Sequence, residues 1–96
     1  MILWVRGPRS SGKTTLAKEL QSKMPHSILL DGDDMRASIS TELDHSKEDR
    51  LENNIRIAKL AVILEAQGFT TIVATICPDH VKQEVYWITG CKFITL

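Results

Sequence analysis

Gly7-Pro8-Arg9-Ser10-Ser11-Gly12-Lys13-Thr14 fits the pattern G-x-x-x-x-G-K-[ST] of a phosphate-binding P-loop. The flanks give the pattern its weight. Ile2-Leu3-Trp4-Val5 is a short apolar run that reads as a buried strand, and Thr15-Leu16-Ala17-Lys18-Glu19-Leu20 opens a helix. Strand, glycine loop and helix in that order are the setting such a loop requires. A polyphosphate must be met by several inward-pointing backbone N–H groups, so glycines belong at the tight points. The helix that follows adds free N–H groups and a favourable dipole. The whole stretch from Gly7 to Thr15 is therefore the expected nucleotide cradle, with ATP the simplest ligand. Lys13 is placed to reach the β- and γ-phosphates, and the Thr14 hydroxyl to ligate Mg²⁺.

Downstream, the chain alternates strands and helices. Met24-Pro25-His26 breaks the first helix, and Ser27-Ile28-Leu29-Leu30 reads as a second strand. That strand runs into Asp31-Gly32-Asp33-Asp34-Met35-Arg36. Carboxylates at the C-terminal end of a parallel strand face the ligand crevice, which makes Asp31 and Asp33 functional candidates. Asp34 is expected instead to cap a helix. Residues 38–44 read as a loop. Ser46-Lys47-Glu48-Asp49 has the spacing of a capping box and opens the longest helix, which Gly68 ends. Leu51, Ile55, Ala58 and Val62 recur at helical spacing and predict its buried face. Arg50, Asn53 and Arg56 share another side, with Arg56 expected to be simply solvated.

Residues 69–76 (FTTIVATI) are rich in β-branched side chains and read as a central strand that stops at Cys77-Pro78-Asp79-His80. Residues 81–88 suit a short helix, and residues 92–96 a last strand. The expected fold is α/β: one domain over 1–96, with about four parallel strands, right-handed crossovers and helices on both faces.

Composition excludes several classes. The 96 residues have zero formal net charge, 43% hydrophobic and 25% charged residues. That is ordinary globular composition without the basic footprint of a nucleic-acid binder. Leu60-Ala61-Val62-Ile63-Leu64 is far too short to span a bilayer, and no signal peptide is visible, so a cytoplasmic location is expected. Cys77 and Cys91 form no metal-binding pattern and read as reduced thiols.

Taken together, the P-loop, D-G-D-x-x-R at Asp31 to Arg36, E-D-R-x-E-N at Glu48 to Asn53, and I-V-A-T-I-C-P at Ile72 to Pro78 resemble adenylylsulfate kinase. The resemblance covers essentially the whole chain. It implies Mg²⁺-dependent transfer of the ATP γ-phosphoryl to the 3′-hydroxyl of adenosine 5′-phosphosulfate, a step of sulfate activation. It further implies that Asp31 is the catalytic carboxylate, working with Lys13, and that Asp33 lies near Mg²⁺ (with Thr14) and substrate. Arg36, Arg50 and Asn53 resemble the phosphosulfate contacts; Ile76 and Cys77 fall where the strand end touches the adenylyl group. His45 stands where the family has an aromatic that stacks on the substrate adenine.

The chain departs from the family in other places. Ser10 replaces a glycine, which is expected to restrict the loop. Cys77 replaces a serine, and Asp79-His80 a tyrosine-arginine pair. The family's mobile lid, fifth strand and ATP-adenine contacts have no counterpart in this sequence. A sheet edge is then expected to be open, and a second copy of the chain could cover it. Two other functions fit the same motifs: a P-loop kinase of another small substrate, and an ATP-binding module without catalysis.

Overall fold

A computed structural model describes residues 1–96. In chain order the elements are β1 (Ile2–Arg6), α1 (Lys13–Lys23), β2 (Ser27–Asp31), α2 (Gly32–Ser38), α3 (Lys47–Ala66), β3 (Thr70–Thr75), α4 (Asp79–Thr89) and β4 (Lys92–Thr95). The four strands form one parallel sheet in the order β2-β3-β1-β4. The α/β fold and the strand count expected from sequence are what the structure has. No helix is long and apolar enough to cross a membrane.

Alternation along the strands divides the core between two faces. Ile2, Trp4 and Val73 point to one side and pack with Met35 of α2, Ile57, Ala58 and Ala61 of α3, and Val81 and Val85 of α4. Val5, Ile72 and Ala74 point to the other and meet Ala17 of α1, flanked by Leu16, Leu20 and Met24. β3 is central, and Thr71 to Thr75 are all buried in it. Hence α1 covers one face, and α2, α3 and α4 the other.

Three local expectations change. Helix α1 begins at Lys13 rather than Thr15, because Gly12 takes the N-cap position at φ 88° and the Leu16 N–H bonds its carbonyl. The cap of α2 is Asp31, whose carboxylate accepts from the Asp33 N–H at 2.9 Å; Asp34 lies inside the first turn. At α3 the expected Ser46 cap is present, its hydroxyl accepting from the Asp49 N–H at 3.2 Å. The Asp49 carboxylate, however, reaches the Asp44 N–H rather than closing back on Ser46. Asp44 in turn accepts from the Ser46 N–H, and the hydrogen bonds from Ser46 hold its carboxyl below the usual range.

The buried face of α3 differs from the expected one. It is formed by Asn53, Asn54, Ile57, Ala58 and Ala61, while Val62 and Ile63 are exposed. Apolarity alone selected Leu51, Ile55, Ala58 and Val62. The sheet instead receives two small alanines, which permit close approach, and two asparagines, of which Asn54 finds partners for both its amide oxygen and nitrogen inside the fold.

Arg56 is also not a free surface charge. It pairs with Glu42 and with Glu52 (2.9 Å) and approaches the buried Ser40 hydroxyl at 3.4 Å. These bonds tie the turn after α2 down onto α3. They hold the Glu42 carboxyl below its usual range and push the Arg56 guanidinium higher still.

The corrected face is testable by equilibrium unfolding in urea. Ile57→Ala removes a fully buried side chain and is expected to cost about 3 kcal/mol. Val62→Ala, at a position 36% exposed, is expected to cost less than about 1 kcal/mol. Equal costs would contradict this placement of the helix.

Candidate active site

Parallel register brings three strand ends to one edge of the sheet. Arg6 stands beside Thr75, and Asp31 beside Ala74. The P-loop leaves β1 there, α2 leaves β2, and Ile76 leaves β3. Between them lies a cleft of about 810 Å³ lined by the loop, Asp31, Asp33, Arg36, His45, Arg50, Thr75 and Ile76.

The loop's backbone is available to a ligand. The N–H groups of Ser10 through Thr15 donate to no protein acceptor, as befits a loop that turns into a helix N-terminus. Its two glycines serve different ends. Gly12 needs its positive φ, with open space around it. Gly7 needs its small size, since a Cβ there would lie 2.6 Å from the Ser11 hydroxyl and 3.1 Å from Leu96 Cβ. Ser10 adopts φ 61°, so the restriction expected at this residue takes the form of a left-handed backbone that glycine would tolerate better. The Lys13 ammonium donates to the Pro8 carbonyl at 2.7 Å, across the loop.

Asp31 links the two halves of the cleft. One carboxylate oxygen accepts from the Thr14 hydroxyl at 2.8 Å, and the other caps α2. Asp33 is 91% exposed, and its carboxylate lies 4.0 Å from the Arg36 guanidinium. No cluster of three or more acidic, histidine or cysteine side chains is present to hold a metal by protein groups alone. Thr14, Asp31 and Asp33 nevertheless offer hard oxygen donors of the kind Mg²⁺ accepts beside phosphate oxygens.

The remaining candidates divide. Arg36, His45, Arg50 and Ile76 line the cleft, and so does Arg9. Arg50 makes no ion pair within the chain. Arg36 carries a buried Nε without a partner, and Ser11 a buried hydroxyl in the same condition. Asn53 is not at the cleft surface. It is 1% exposed, its amide nitrogen lies 3.5 Å from the Gly32 carbonyl, and its Oδ1 is unpaired. The Cys77 side chain is likewise turned into the core, 3% exposed, among Trp4, Val81 and Cys91.

Arg6, Thr75 and Asn54 were not among the sequence candidates. Arg6 is pinned by the Cys77 carbonyl (2.9 Å), Asp79 (3.0 Å) and Thr95 (3.0 Å), with its guanidinium over the Phe93 ring. It fastens the ends of β1, β3 and β4 and the start of α4 directly behind the loop. Its place immediately before Gly7 was the one available signal.

A family model described as adenylylsulphate kinase matches residues 1–94. An adenylyl-sulfate kinase of Pseudomonas aeruginosa is 43% identical over 81 residues, covering 80% of this chain and 41% of the relative. One from Paraburkholderia xenovorans is 37% identical over 83 residues, covering 82% and 46%. The chain thus spans less than half the length of these relatives. Among solved structures, Mycobacterium tuberculosis APS kinase in complex with AMPPNP and APS superposes with a TM-score of 0.77 at 28% identity. That match covers 98% of this chain and 59% of the other.

The two thiols yield a prediction. Burial pushes Cys77 up to about 12 and raises Cys91 as well. At pH 8 the native protein should therefore react slowly with a thiol reagent, and both cysteines should react at once in urea. The folded state disfavours the thiolates. Stability should therefore be full below about pH 8.5, the ordinary thiol value, and fall as the pH rises toward 12. Rapid native labelling of Cys77 would contradict its buried placement.

Proposed function

The chain belongs to the adenylylsulphate kinase family, and we propose that it transfers the γ-phosphoryl of ATP to the 3′-hydroxyl of adenosine 5′-phosphosulfate. The observation that carries this reading is the Thr14–Asp31 hydrogen bond. It joins a phosphate-binding loop to a carboxylate that faces a cleft holding unpaired arginine.

In-line phosphoryl transfer depends on positioning and charge stabilisation more than on covalent chemistry. The free N–H groups of Ser10 to Thr15 hold the donor phosphates. Lys13 leaves the Pro8 carbonyl to meet them. Two observations suit this cleft to anionic ligands: the unpartnered Ser11 hydroxyl and the unpartnered Arg36 Nε. Thr14 and Asp33 are the residues that would hold Mg²⁺, whose chemistry there is to neutralise charge on the phosphate oxygens. Arg36 and Arg50 hold the phosphosulfate, because a guanidinium fork matches such oxygens. His45 and Ile76 lie against the adenylyl group. Asp31 accepts the proton of the attacking hydroxyl.

Asn53 acts from beneath the surface, through Gly32, and Cys77 contributes packing rather than contact. Strand β4 forms one edge of the sheet, and Leu96 beside it is exposed; a second copy of the chain is the partner this edge would admit. A sedimentation series that remained monomeric at high concentration would argue against that partner.

The test is ADP formation with Mg²⁺-ATP and adenosine 5′-phosphosulfate. Lys13→Ala should lower kcat by at least about 100-fold, the usual loss when one charge-stabilising donor is removed. Asp31→Asn should lower kcat by about 100-fold or more while leaving ATP binding intact, because asparagine still caps α2. Full turnover by Asp31→Asn would sink the base assignment. Preference for an unsulfated acceptor would redirect the reading to another small-molecule kinase. Lys13-dependent ATP binding without turnover on any acceptor would leave a nucleotide-binding module.

A further inference from the structure

A chain of buried hydrogen bonds runs from the middle of the sheet to the acceptor side of the cleft. The Trp4 indole N–H donates to the Thr75 hydroxyl at 2.9 Å, and that hydroxyl donates to Asn54 Oδ1 at 2.8 Å. The Asn54 amide donates to the Arg50 carbonyl at 2.8 Å and approaches the Ile76 carbonyl at 3.4 Å. Trp4, Thr75 and Asn54 are all at most 4% exposed. Every side-chain polar atom of these three residues has a partner.

Packing alone does not call for this polarity. A valine and a leucine would fill the same space between β3 and α3 without needing partners. Satisfied polar atoms in an apolar layer instead fix one orientation, because any slip leaves a donor or acceptor unpaired. Here the orientation is that of the first turns of α3 against the exit of β3. Both carbonyls at the far end of the chain belong to residues that line the cleft, Arg50 and Ile76.

We propose that Thr75 and Asn54 are positioning residues that set Arg50 and Ile76 in the acceptor half of the cleft. This rests on the functional reading above for the identity of the acceptor. The loop half hangs from β1 and α1; residues 7–15 make no bond to this network, which meets β1 only at the Trp4 indole. Loosening the network should therefore separate the two ligands: acceptor binding weakens and nucleotide binding does not.

The experiment compares Thr75→Val, Thr75→Ser and Asn54→Ala in the full chain. Binding of adenosine 5′-phosphosulfate and of the ATP analogue AMPPNP is measured separately. Thr75→Val keeps the shape and deletes the hydroxyl; Thr75→Ser keeps the hydroxyl. Thr75→Val and Asn54→Ala should raise the acceptor Kd about tenfold, as expected when a buried hydrogen bond loses one partner. AMPPNP affinity should stay within about twofold, and Thr75→Ser should bind the acceptor within about threefold of the natural chain. Hydrogen exchange at residues 50–54 should accelerate in Thr75→Val while the end of α3 is unchanged.

Parallel loss of both ligands, or acceptor binding unchanged in Thr75→Val and Asn54→Ala, would overturn the inference. If the natural chain bound no adenosine 5′-phosphosulfate, the functional reading would fail. The exchange comparison would then decide the positioning role by itself, with uniform exchange along α3 overturning it.

Discussion

The parallel pairing of β1 with β3, Ile2 to Arg6 against Thr71 to Thr75, is the constraint on which the rest of the molecule depends. Parallel strands all end at the same edge, and each must be followed by a crossover that leaves the sheet there. The P-loop, the Asp31–Gly32 turn and the Ile76–Cys77 exit are brought to one place by that geometry. Three peptide segments far apart in sequence then form a single cleft. Gly32 records how closely they approach, since a Cβ on it would meet the Thr75 side chain at 3.1 Å.

Charge in the chain cancels overall, but it is not evenly used. Arg6 and Arg56 are absorbed by the structure, one fastening strand ends and the other holding a turn. Arg9, Lys13, Arg36 and Arg50 line the cleft with only Asp31 and Asp33 among them as anions. A molecule of zero net charge can therefore present a locally cationic site, suited to phosphate and sulfate oxygens through short-range forks. The distinction between structural and available arginines rests on ion-pair geometry, and arginine count has no bearing on it.

The same site shows how one residue can serve fold and chemistry together. Asp31 ends β2, caps α2 and meets Thr14, so the helix cap and the P-loop share a carboxylate. The buried bonds from Trp4 through Thr75 to Asn54 hold α3 against the sheet on the other flank. Polar side chains inside this small core thus act as fixed spacers between elements, and the apolar clusters on either face of the sheet supply the burial.

The sequence by itself determined the order of strands and helices, the phosphate loop and the Ser46 cap. These are legible because each depends on neighbours within a few positions: a glycine at a tight turn, a hydroxyl three residues from an N–H, an apolar run of strand length. The tertiary structure decided the rest. Which face of α3 is buried escaped the apolar pattern because Asn53 and Asn54 find partners across the fold, at Gly32, Thr75 and Ile76. Asp31 displaced Asp34 as the cap, and Cys77 turned inward while Ile76 faced the cleft, because strand register alone sets those directions. The bonds that assemble the site join residues 17 to 71 positions apart. No local pattern encodes such a contact; it exists only once the sheet has paired.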